Sequence, residues 1–170
     1  MLIAEYKGTD GITYNRSNPG AILDWGPLPL KINHAADRTT GLTTVDIIMY
    51  RYADVLLSKA EAIANGGAPT VEAMELVNVV RRRAGLTDKK LSDYSSLTAF
   101  NDLILLERSH EFWCENGQYR ADLIRHGKFV SRCQEVTQST YTGPNKVVFP
   151  FSLKAISEGK GQFIQNPGYN

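Results

Sequence analysis

The sequence predicts a mainly α-helical chain, built from tetratricopeptide-like helical hairpins with long irregular loops. Three observations carry this expectation. Apolar residues recur at helical spacing in consecutive windows between residues 53 and 126. Each window stops at a glycine, at Gly66-Gly67, Gly85 and Gly117. By contrast, residues 1–45 carry Gly8, Gly11, Pro19, Gly20, Gly26, Pro27, Pro29 and Gly41, punctuation that suits loops and short extended pieces. The chain therefore divides into a loop-rich segment, 1–45, and a helical domain, 46–170. An independent fold rarely opens with so long an irregular stretch, so the sequence reads as a segment of something larger.

The first helix follows from Ala53, Leu56, Leu57, Ala60 and Ala64, which fall at i, i+3, i+4, i+7 and i+11 and form one stripe. Thr70 is the expected N-cap of the second helix, and Glu72 in its first turn suits the positive end of the dipole. Ala73, Leu76, Val77, Val80 and Ala84 repeat the spacing until Gly85. A short Gly/Pro link makes these two helices an antiparallel hairpin, and the alanines let the backbones approach closely. A third helix is expected from about Thr98 to Glu115, and a shorter fourth from about Gln118 to His126. Beyond Ser139 the chain reads as irregular, with Gly143-Pro144 and the extended Val147–Pro150.

Composition narrows the function classes. Hydrophobic content of 42% and charged content of 22% are ordinary for a globular protein. A net charge of +1 supplies no electrostatic footprint for nucleic acid. Two cysteines, Cys114 and Cys133, are too few for a disulfide scaffold. No run approaches the roughly 18 apolar residues a spanning helix needs. The opening MLIAEYKGTDG does not read as a signal peptide, and neither cysteine lies where a lipid anchor attaches.

The densest chemistry lies in ERSHEFWCENGQYRADLIR, residues 107–125. On a helical wheel Phe100, Ile104, Glu107 and Glu111 fall within about 60° of one another, so an apolar stripe runs into two carboxylates. Buried carboxylates need partners or shifted titration. Three readings compete. A glycosidase-like pair, Glu107 and Glu111, has workable spacing, but nearby arginines favour the ionised form, the wrong direction for a general acid. A metal site is suggested by His110-Glu111 with Cys114, yet it needs a third ligand from His34, His126 or Cys133, and no spacing selects one. The preferred reading is a structural ion-pair network joining the third and fourth helices, made of Glu107, Arg108, Glu111, Glu115, Arg120, Asp122 and Arg125, with Arg81 and Arg83 available from the second. No catalytic residue, metal or cofactor is assigned.

Four ordered blocks carry a resemblance. RYADVLLSKAEAIANGG (51–67), NVVRRRAGL (78–86), ERSHEFWCENGQYRADLIRHGK (107–128) and FPF…QNPGY (149–169) resemble the C-terminal half of SusD/RagB-like proteins. The chain departs from the common pattern by one extra residue between Glu115 and Arg120 and by SLKAISEGKG after Phe151. The resemblance implies a cell-surface, lipid-anchored nutrient-binding protein of the outer membrane in Bacteroidota-type bacteria. Its implied partners are an oligosaccharide or other nutrient ligand and a SusC-like TonB-dependent transporter. It implies no enzymatic activity, and it makes this chain a C-terminal fragment whose membrane link lies elsewhere. A docking role alone, with the hairpins meeting the transporter, is the further alternative.

Sugar recognition uses aromatic faces against the ring and planar polar groups on its hydroxyls. The loop segment offers Trp25, flanked by Asp24, as the leading candidate, with Tyr14, Asn15 and Arg38 elsewhere in the same segment. Tyr141 and Tyr169 are weaker candidates. Phe112 and Trp113 are expected in the helical core.

Overall fold

The structure is a computed structural model, and it describes residues 2–3, 5–7, 11–15, 28–29, 48–115, 117–137 and 143–169. The chain forms two compact units, Met1–Met49 and Tyr50–Asn170. In the first, the described pieces are short strands. β1 (Leu2–Ile3) pairs antiparallel with β4 (Leu28–Pro29), and β2 (Glu5–Lys7) pairs with β3 (Thr13–Asn15). Gly11 in the β2–β3 connection takes φ +80, a conformation open to glycine without strain.

The second unit is helical. Its helices are α1 (Tyr52–Asn65), α2 (Val71–Arg83), α3 (Leu97–Glu111), α4 (Gln118–Arg125), α5 (Phe129–Thr137) and α6 (Leu153–Glu158). Single 3-10 turns occur at Leu91–Tyr94 and Pro144–Val147. The Thr70 hydroxyl caps α2 by accepting from the Ala73 N–H at 3.1 Å, and the Ser96 hydroxyl caps α3 from Ala99 in the same way. Each cap satisfies one of the orphan N–H groups that a helix start leaves.

α1 packs on α2 and on α3, and the core lies where the three meet. Leu57, Val77, Phe100 and Ile104 are completely sealed there, as are Ala60, Ala64 and Ala73. Full burial of one such large apolar side chain is worth about 1.5–3 kcal/mol. Methyl-sized alanines on both α1 and α2 permit the close approach of the first hairpin. Leu76 sits at the margin of this core, and Ala84, expected on the stripe, is exposed because α2 has already ended at Arg83.

Two differences from the sequence reading matter. The third helix ends at Glu111, four residues before Glu115. Arg51 takes the Glu111 carbonyl at 2.7 Å, Glu115 N–H turns to the Phe112 carbonyl, and Cys114 adopts φ +61, so the helix cannot run on. The chain also resumes helix after the Gly127 break, as α5, and again as α6 within the tail that reads as irregular. Short helices such as these take their stability from packing and carry weak periodicity of their own.

Among the described residues no helix is long and apolar enough to cross a membrane.

Candidate functional site

A seam of ion pairs runs through the helical unit where the apolar stripes stop. On α3, Glu107 is 4% exposed and pairs with Arg81 of α2. One turn later Glu111 splits its carboxylate, one oxygen to Arg51 at 2.5 Å and the other to Arg83. Arg51 also holds Glu115 through Nε at 2.8 Å. Burial works against the Arg51 charge, but the carboxylates of Glu115 and Glu111 outweigh it and hold the guanidinium above its ordinary range. Phe112 lies between two guanidinium groups, with Arg51 5.0 Å and Arg108 5.1 Å from its ring centre.

The opposite flank of α3 carries Arg108, which binds Asp122 of α4 and Asp54 of α1, both at 2.7 Å. Arg125 of α4 bridges Asp122 and Glu61. The hydrogen bonds that Arg125 donates to Glu61 are the main reason its guanidinium stands above its ordinary range. Asp54, Ser58, Glu61 and Asn65 fall at i, i+4, i+7 and i+11 on α1, a polar stripe beside its apolar one. With Arg108 and Arg125 they line an open cleft of about 350 Å³. Every guanidinium in this cleft already has carboxylate partners, and the lining carries three carboxylates against two guanidinium groups.

The network therefore reaches further than a tie between the third and fourth helices. It also binds α3 to α2 through Arg81 and Arg83, and to α1 through Asp54 and through Arg51, the N-cap residue of α1. Arg120 behaves differently from the expected ion-pair partner. It donates to the Val147 carbonyl at 2.6 Å and sits between the Phe129 and Phe149 rings, 4.9 and 4.4 Å from their centres. The 147–149 segment brings the carbonyl and the Phe149 ring to it. Arg51, Asp54 and Glu61 belong to the network although the sequence reading does not name them. The α1 polar stripe at helical spacing is the signal that could have found two of them.

Of the proposed ligand residues, Tyr14 and Asn15 lie on β3, opposite Tyr6 and Glu5 of β2, and both are half-buried. Trp25, Asp24 and Arg38 lie outside the described residues, as does Tyr141. Phe112 is buried, but Trp113 is 41% exposed. Trp113 lies seven residues after the exposed Leu106, on the outer side of the α3 row rather than on the face that Phe100 and Ile104 bury.

His110 and Cys114 are both exposed, and Cys114 and Cys133 are free thiols. Among the described residues no group of three or more His, Cys, Asp or Glu could hold a metal. Glu107 and Glu111 face arginines, and both oxygens of Glu111 are engaged.

The C-terminal residues form a clasp. The Gln165 amide accepts from the Phe151 N–H at 2.9 Å and donates to the Phe151 carbonyl at 3.0 Å, as a neighbouring strand would. Asn166 donates to the Phe149 carbonyl, and the Tyr169 hydroxyl to that of Val148. Tyr169 is further covered by Lys146, 3.6 Å from its ring centre. The clasp holds Phe149 and Phe151 largely exposed.

Helical hairpins locked by charged seams, with a clasped C-terminal tail, define a mainly helical scaffold, and its relatives identify the class. The SusD family model matches residues 5–169, and the chain belongs to that family. It is 36% identical over 103 residues to the SusD-like protein P38 of Formosa agariphila, covering 57% of this chain and 20% of that protein. The surface glycan-binding protein A from Bacteroides thetaiotaomicron superposes with a TM-score of 0.58 at 31% identity, over 74% of this chain and 25% of that one. The chain thus spans about a fifth to a quarter of the length of these relatives.

Proposed function

We propose that this chain is part of a non-catalytic cell-surface protein that binds glycans or related nutrients and passes them to a TonB-dependent transporter of the outer membrane. The observation that carries the reading is family membership over residues 5–169, together with 31% identity to a protein described as a surface glycan-binding protein. The charged seam supports the non-catalytic part, because its acids are committed to arginines on neighbouring helices. In this reading α1 to α4 are scaffold. Trp25, Tyr14, Asp24, Asn15 and Arg38 supply the ligand contacts available from this chain, and the protein is linked to the outer membrane by a lipid anchor.

Calorimetric titration of the folded chain against a panel of soluble glycans tests this. Binding to one glycan, weakened by Trp25→Ala and unaffected by Glu111→Gln in the folded fraction, is the expected result. Release of reducing ends from a polysaccharide, abolished by Glu111→Gln, would instead establish a glycoside hydrolase using Glu107 and Glu111. A folded chain that binds no glycan but co-purifies with the transporter would make it a docking scaffold.

A further inference from the structure

Tyr50 and Tyr52 are 79% and 74% exposed, more than any other aromatic residue among the described ones. Neither belongs to the core, yet they flank the residue that ends α3. Arg51, between them, donates to Glu111 at 2.5 Å and to Glu115 at 2.8 Å, and its side chain is 25% exposed. Its backbone is extended, with φ −130 and ψ 155. In extended backbone successive side chains leave opposite faces, so the inward pull on Arg51 turns both neighbours outward. Their Cα atoms then stand about 6.5 Å apart across two extended residues. Two phenol side chains are thus presented on one outward side, and the bonds of Arg51 fix the backbone that carries them. Such a platform has little backbone freedom left to lose when a ligand settles on it.

The outer row of α1 decides what kind of ligand suits them. Tyr52, Val55, Lys59 and Ala62 recur at i, i+3, i+7 and i+10. Val55 is 58% exposed, but Lys59, one turn on, forms an exposed ion pair with Glu72 of α2 at 2.8 Å. The apolar length of the row is therefore a single turn, too short for a docking helix, which needs anchors at i, i+3, i+4 and i+7. An ionic ligand finds no uncommitted charge here either, since Lys59 is matched by Glu72 and Arg51 by two carboxylates. A neutral sugar fits both limits. Its ring has an apolar C–H face and a hydroxyl edge, and a tyrosine offers an apolar ring with a hydroxyl that donates and accepts at its tip. We propose that Tyr50 and Tyr52 form a carbohydrate-binding platform for neighbouring pyranose units of a neutral oligosaccharide, with Val55 extending the apolar contact. The proposal rests on the glycan-binding reading above and adds to it a contact surface carried by the helical unit.

The test is calorimetric titration of the whole chain with cellohexaose, laminarihexaose, maltohexaose and mannohexaose, for the wild type, Tyr50→Ala, Tyr52→Ala and Trp25→Ala. One hexaose is expected to bind, and each tyrosine variant is expected to weaken it about three- to tenfold. Both side chains are exposed, so the variants are expected to keep the wild-type circular dichroism. Tyr50→Phe and Tyr52→Phe retain the rings and are expected to keep most of the affinity. Binding that Trp25→Ala weakens and both tyrosine variants leave unchanged would overturn the platform while the glycan-binding reading stands. Binding to none of the hexaoses would overturn the platform together with that reading. A second readout needs no alanine variant to fold. The ring resonances of Tyr50 and Tyr52 in the wild type, assigned from the phenylalanine variants, are expected to shift as the bound hexaose is added, and unshifted rings would overturn the proposal. Self-association of the wild type that Tyr52→Ala abolishes would overturn it too, and would make this face a contact between copies of the chain.

Discussion

Arg51 binds Glu111 twice, donating from Nη1 to its carboxylate at 2.5 Å and from Nη2 to its backbone carbonyl at 2.7 Å. One side chain thus neutralises a carboxylate and also removes the acceptor that a continuing helix would use at Glu115. Only a planar fork of donors reaches both. Arg51→Lys is expected to lower stability by about 1–2 kcal/mol in urea denaturation. It is also expected to speed amide exchange over residues 112–115. Unchanged exchange there would mean that Cys114, with its φ of +61, ends the helix without help.

Removing one partner of a sealed ion pair leaves the other buried and uncompensated. Arg108→Met, which strips Asp122 of its Nε donor and Asp54 of its Nη1 donor, is expected to cost about 3–5 kcal/mol. Arg82→Met removes pairs with Glu75 and Asp88 at an exposed site and is expected to cost less than about 1 kcal/mol. Equal losses by chemical denaturation would contradict the burial argument.

Phe100 is sealed where α1, α2 and α3 meet. Phe100→Ala removes its contacts and leaves a cavity, at an expected cost of about 3–5 kcal/mol. Thermal and urea midpoints that barely move would show that α3 is not anchored there.

The caps offer smaller, independent effects. Thr70→Ala and Ser96→Ala each remove a hydroxyl acceptor at a helix start, from Ala73 and Ala99 respectively. Each is expected to lower stability by about 1 kcal/mol, read from the shift in the urea midpoint at constant slope.

The clasp predicts a local effect. Gln165→Ala removes both hydrogen bonds to the Phe151 backbone, so the Phe151 amide is expected to exchange faster while amides in α1 and α3 keep their protection. A matching loss of protection in α1 would mean that the tail and core open as one unit.

Much of the helical unit was legible because periodicity reports burial directly. Leu56, Leu57, Ala60 and Ala64 form the buried stripe that their spacing implies, and Thr70 caps the helix it precedes. The reading of residues 107–125 went astray where local pattern and long-range contact disagree. Glu107, Glu111 and Glu115 look like one helical row, but Arg51, sixty residues before Glu111, ends the helix between the second and third. Arg120 looked like one more ion-pair member until the 147–149 segment supplied a carbonyl and two flanking rings became possible with Phe129. Trp113, expected inside, is 41% exposed because it follows the exposed Leu106 by two helical turns and so shares its outer face.

The sequence by itself determined where the first two helices run, which of their faces are apolar, and to which family the ordered blocks belong. These depend on spacing along the chain, which each segment carries within itself. Only the tertiary structure decided which arginine meets which acid and where α3 stops. Those pairings join residues up to sixty-four positions apart, as Arg125 and Glu61 are, and such contacts exist only once packing has brought the helices together.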